Sequence, residues 1–98
     1  MDISTQKKGS QLTLTLTGRL DTSTAPQLEQ ALDAALPGVT ELILDFSRLE
    51  YVSSAGLRIL LSAQKRMNRQ GEMIIRKVND TIMEVFEITG FVDILTIE

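Results

Sequence analysis

The residues best placed to do chemistry are two adjacent hydroxyls, Ser53 and Ser54, followed by Ala55, Gly56 and Leu57 at the start of an apolar helical pattern. A serine before such a pattern is a good helix N-cap, but one cap needs one hydroxyl. Gly56 in the first turn costs about 0.5–1 kcal/mol relative to alanine, so something beyond capping is expected to want a small, accessible backbone there. A helix start tolerates negative charge, because free amides and the macrodipole favour an anion. A phosphoryl group on this hydroxyl is therefore compatible with the fold, while adding about -1.5 to -2 charges to the surface.

Two carboxylates belong to the same survey. Asp21 ends Gly18-Arg19-Leu20-Asp21 and reads as a turn or first-turn carboxylate within reach of a partner. Asp45, in the apolar run Leu42–Phe46, reads as a strand-end carboxylate that either faces water or holds the serine loop through backbone amides. Neither has a histidine to work with, since the chain contains none, and it has no cysteine either. The usual general base near neutral pH, the commonest metal ligand and any thiolate nucleophile are thus absent. Ser62-Ala63-Gln64-Lys65 matches S-x-x-K only in the middle of a helical pattern, and no phosphate-binding glycine loop occurs. The chain reads as a binding module, not an enzyme, with no cofactor or metal.

The elements that must position these residues follow from periodicity. Leu12, Leu14 and Leu16 alternate with Thr13, Thr15 and Thr17, the period of a half-buried strand. Lys8-Gly9-Ser10 turns it back on an edge strand around Ile3–Gln6. Thr24 with Gln27 offers a capping box, with Pro26 in the first turn, for a helix carrying Leu28, Ala31, Leu32, Ala35 and Leu36. Leu42-Ile43-Leu44 with Phe46 reads as a central strand covered on both faces. A helix from Ser53 or Ser54 runs to Gly71, Met73–Ile75 forms another buried strand, Thr81–Glu84 offers a second capping box, and Val92–Ile97 a last strand. The order ββαβαβαβ predicts one α/β domain over residues 1–98, a mixed, mostly parallel sheet with helices packed on it. Loops at the carboxyl ends of strands, Gly18–Thr24 and Ser47–Gly56, are where partners are expected.

Of the 98 residues 43% are hydrophobic and 23% charged, enough apolar surface for an independent core. The net charge of -3 argues against direct nucleic-acid binding, although Arg58, Lys65, Arg66, Arg69, Arg76 and Lys77 concentrate in one stretch against a single acid, Glu72. With no apolar run long enough to span a bilayer and no hydrophobic segment over Met1–Gly9, a cytoplasmic location without membrane insertion is the expectation.

Gly18-Arg19-Leu20-Asp21 leading to a Thr-Ala-Pro helix start, then Leu42–Phe46 leading to Tyr51-Val52-Ser53-Ser54-Ala55-Gly56-Leu57-Arg58, resembles the STAS domain family, specifically the bacterial anti-sigma-factor antagonists. The resemblance covers essentially the whole chain. It implies a partner-switching protein that, unphosphorylated, binds an anti-sigma factor and frees the sigma factor. It also implies that this partner has serine kinase activity and that a serine phosphatase resets the cycle. By motif position Ser54 resembles the acceptor. Ser53 stands where many members have Asp and is the alternative acceptor, and Ala55 stands where they have a second hydroxyl. The same resemblance places Asp21, Thr22, Ser53, Gly56, Leu57 and Arg58 in or near the partner surface. A STAS-like scaffold subunit that is not phosphorylated, such as the accessory protein of a lipid transporter, is the other reading.

Overall fold

The computed structural model describes residues 1–98. Strands β1 (Asp2–Lys8) and β2 (Gln11–Leu20) form the opening hairpin. Helix α1 (Ala25–Ala35), strand β3 (Glu41–Val52), helix α2 (Ser54–Gln70), strand β4 (Glu72–Arg76) and helix α3 (Asp80–Thr89) follow, with a short 3₁₀ turn at Phe91–Asp93. The sheet order is β1-β2-β3-β4, antiparallel at the hairpin and parallel elsewhere. This is the expected α/β fold. The strand expected over Val92–Ile97 is reduced to one parallel bridge, Ile75 to Ile97, because the 3₁₀ turn consumes its first residues.

The core lies on one face only. Register aligns Leu12, Leu42 and Met73, then Leu14, Leu44 and Ile75, across three strands. These residues join Leu28 and Leu32 of α1, Leu57, Leu60, Ala63 and Met67 of α2, and Ile82 and Phe86 of α3 in one cluster of 23 buried residues. The topology demands this. Each parallel connection advances one strand in the same direction, and right-handed crossovers repeated in one direction lay every helix on the same side. The expectation that β3 is covered on both faces is therefore corrected. Ile43 points to the open face and lies outside the core cluster, shielded in register by Thr13 and Ile74, although only 5% of it is exposed.

Both central strands run longer than their sequence pattern suggests. In β3 the buried residues Leu42, Leu44 and Phe46 are two apart, but Leu49 and Val52 follow at intervals of three. Register shifts opposite Thr15–Thr17 and Gly18–Arg19 account for the change, since each bulge adds a residue and re-phases the side chains. Gly18, with φ of +107°, takes a conformation at this irregularity that side-chain-bearing residues rarely adopt. The segments expected as the loops Gly18–Thr24 and Ser47–Gly56 thus shrink to Asp21–Thr24 and Ser53.

Candidate functional site

The two bulged strands end together. Leu20 and Val52 are paired, and the Ser53 amide donates to the Leu20 carbonyl at 2.8 Å, so the chain leaves β3 directly into α2. Ser53, in extended conformation, is the N-cap, and its Oγ accepts from the Gly56 amide at 3.3 Å while its carbonyl accepts from Leu57 at 2.9 Å. Ser54 is the first helical residue and is exposed. One serine is consumed in starting the helix, which leaves the other facing solvent.

Gly56 and Leu57 are both buried. A Cβ on Gly56 would stand 2.7 Å from Leu20 Cγ and 3.1 Å from the Leu20 carbonyl oxygen, so the glycine permits α2 to seat against the end of β2. Leu57 is 6% exposed and belongs to the core cluster. Neither offers much side-chain surface, and both support the exposed α2 start from beneath.

Asp21 is likewise turned onto its own loop. Its Oδ1 accepts from the Ser23 amide at 3.0 Å, the Ser23 hydroxyl at 2.8 Å and the Thr24 amide at 3.2 Å. The Ser23 hydroxyl, reinforced by the two amides and against a smaller opposing effect of desolvation, holds the carboxyl below its ordinary value. Thr24 caps α1 by position but not through the expected box. Its Oγ1 donates to the Arg19 carbonyl and accepts from the Asp21 amide, both at 2.8 Å, and Gln27 reaches away to the Met1 carbonyl. Arg19 lies 4.7 Å from the Tyr51 ring centroid and 3.9 Å from Asp21. This end of the sheet is cross-braced.

Asp45 does not hold the serine loop. It sits in register with Thr15 and Arg76, in mid-strand, and accepts the Ser47 amide at 2.9 Å across the first bulge. Burial pushes its carboxyl up. The Ser47 amide and hydroxyl, with the charges of Lys77 and Arg48, outweigh that and leave it below the usual value. The second expected capping box is replaced as well: Asn79 caps α3, accepting the Ile82 amide at 2.8 Å and donating to the Leu49 carbonyl at 3.0 Å.

What the structure does bring together is Thr22, Ala55 and Arg58, which line a groove of about 280 Å³ between the first turns of α1 and α2. Ala25, Pro26, Glu29 and Ile59 complete it. Of these seven, the sequence pattern pointed to Thr22 and Arg58 and missed Ala25, Pro26, Glu29, Ala55 and Ile59 as surface for a partner. Their signal was helical spacing, since Thr22, Pro26 and Glu29 repeat at four and three, and Ala55, Arg58 and Ile59 at three and four. The result is a shallow surface of mixed polarity beside Ser54. The chain has no cluster of three or more His, Cys, Asp or Glu able to hold a metal, and no helix long and apolar enough to cross a membrane.

Comparison with known proteins agrees with the fold. BtrV of Bordetella bronchiseptica is 36% identical over 99% of this chain and 85% of that protein. An anti-sigma-B factor antagonist of Listeria monocytogenes is 33% identical over 83% of this chain and 73% of that protein. An anti-sigma factor antagonist from Mycobacterium paratuberculosis superposes with a TM-score of 0.88 at 22% identity, covering 98% of this chain and 83% of that one. The family model described as Mlab, STAS domain matches residues 3–96, and the chain belongs to the STAS domain family.

Proposed function

We propose that this protein is an anti-sigma-factor antagonist whose binding is switched by phosphorylation of Ser54. The observation that carries the reading is the division of labour at the α2 start: Ser53 is spent as the cap, and Ser54 is exposed on the next residue. The names of the relatives support the role. Unphosphorylated, the chain binds an anti-sigma factor with serine kinase activity through the groove and the exposed α2 start, and the sigma factor is released. The kinase then transfers a phosphoryl group. Ser54 Oγ attacks the γ-phosphorus of ATP, the bond to the leaving ADP oxygen breaks, and the hydroxyl proton passes to solvent. A serine phosphatase returns the hydroxyl by hydrolysis. The exchange takes place in the cytoplasm.

The phosphoserine carries about -1.5 to -2 charges, and each unit repulsion at roughly 4 Å from a partner carboxylate is worth about 1–4 kcal/mol, enough to open an interface. Incubation with the cognate anti-sigma kinase and ATP, followed by peptide mass spectrometry, is the test. One phosphoryl group on Ser54, lost in Ser54→Ala and retained in Ser53→Ala, is the expected result. Modification of Ser53 alone, or of neither serine, overturns the acceptor assignment.

A second reading, a scaffold subunit that binds constitutively, is favoured by the description of the matching family model as a Mlab STAS domain. Affinity purification recovering a transporter ATPase instead of a kinase would select it.

A further inference from the structure

Helix α2 contains four cations and no acid. Ser54, Arg58, Ser62, Lys65, Arg66 and Arg69 follow one another at helical spacing, so the hydroxyl assigned as acceptor heads a basic stripe in a chain of net charge -3. Side chains at i and i+4 on a helix are neighbours, with Cβ atoms about 5–6 Å apart. Arg58 is therefore one turn below Ser54. It is exposed, and it takes no part in the three ion pairs of the molecule, which join Arg19 to Asp21, Arg66 to Asp33 and Arg76 to Glu98. Glu29 lines the same groove without pairing with it.

We propose that Arg58 is the intramolecular clamp of phosphorylated Ser54, drawn back along α2 onto the phosphate and away from the groove it lines in the unmodified protein. A guanidinium presents paired N–H donors that match phosphate oxygens, and charge-assisted bonds of this kind are stronger than neutral ones. The modification then acts twice on the docking surface, by adding negative charge at the helix head and by removing a cation from the groove. This deepens the phosphorylation reading and rests on it for its biological meaning, but the contact itself is testable without the kinase.

The test uses the full chain with phosphoserine placed at position 54 during translation, titrated by ³¹P NMR. The second phosphate ionisation of a free phosphoserine lies near pH 6, and a guanidinium clamp lowers it. Replacing Arg58 by Gln is expected to raise it by about 0.2–0.7 units, the range that exposed ion pairs span. Arg58→Lys falls between, because an ammonium keeps the charge but not the paired donors. Arg69→Gln, about four turns from the phosphate, leaves it unchanged. The other titratable groups at this end, Arg19 on β2, Asp21 in the loop after it, Glu29 on α1, and Glu50 and Tyr51 on β3, are common to all samples and cancel in the comparison. Coincident titrations of the parent and Arg58→Gln, or an equal shift in Arg69→Gln, overturn the clamp. Absence of kinase modification at Ser54 with an Arg58-dependent titration overturns the functional reading and leaves the clamp standing.

Discussion

Helices α1 and α2 begin side by side at one end of the sheet, both rich in hydroxyls, yet their hydroxyls have opposite fates. At the α1 start, Ser23 and Thr24 are bound to Asp21 and to the Arg19 carbonyl, and the loop is closed on itself. At the α2 start, a single side chain, Ser53, does the capping, while Gly56 sets the distance to β2 and Ser54 stays exposed. One start is a brace and the other a brace with a handle. A residue proposed as a phosphorylation site needs a scaffold that holds without it, and here the cap, the glycine contact and the buried Leu57 provide that.

The largest effect is expected where the second start depends on close approach. Gly56→Ala puts a Cβ 2.7 Å from Leu20 Cγ and close to the Leu20 carbonyl, a clash tight enough for the upper part of the overpacking range, about 2–3 kcal/mol, against roughly 1 kcal/mol regained in helix propensity. A net loss of about 1–2 kcal/mol in urea unfolding is the expected outcome. A variant as stable as the parent would mean that Leu20 yields freely and that the glycine sets nothing. Ser53→Ala, which removes the cap but leaves the packing, should lose about 1 kcal/mol in the same measurement.

At the first start the sharpest probe is acid. Asp21 has its carboxyl lowered chiefly by the Ser23 hydroxyl, so the folded state binds its proton less readily than the unfolded chain does. The stabilisation is present above the unfolded value of about 3.9 and disappears as pH falls through the lower folded value. Thermal melts of Asp21→Asn should therefore show a deficit relative to the parent at neutral pH that shrinks below pH ~4. A deficit constant across that window would assign the loss to geometry instead of to the charge.

How much of this was readable from residues alone depended on whether one periodicity persisted. Strand β2 alternates without interruption from Leu12 to Leu16, and its buried face was evident. Strand β3 is recognisable only to Phe46, because bulges shift Leu49 and Val52 to a spacing of three and erase the period-two signal. The run Leu42–Leu44 suggested two covered faces, since a pattern cannot distinguish a helix above Ile43 from neighbouring Thr13 and Ile74 side chains that shield it. Capping motifs mislead where a better partner stands outside them: Asn79 takes the role expected of Thr81, and Asp21 organises the loop ahead of Thr24. Ser53 and Ser54 were legible as a pair because two hydroxyls exceed one cap. Which of them faces solvent depended on the Ser53 bond to Gly56, a three-dimensional fact.

The smallest expected effect separates the two starts most cleanly. Ser54→Asp places a carboxylate at the first position of α2, where its side chain is exposed and makes no hydrogen bond within the chain. Nothing folded is lost by the change, and the helix start favours negative charge by about 0.3–1 kcal/mol. Unfolding free energy should therefore stay within about 0.5 kcal/mol of the parent or rise slightly, while affinity for the anti-sigma factor, measured by calorimetry, falls. The corresponding change at the α1 start, Ser23→Asp, sets a second carboxylate beside Asp21 and removes the hydroxyl that Asp21 accepts from, so its cost should be plainly larger. Equal costs at the two positions would mean that Ser54 is tied into the fold in a way its exposure conceals, and the handle would be part of the brace.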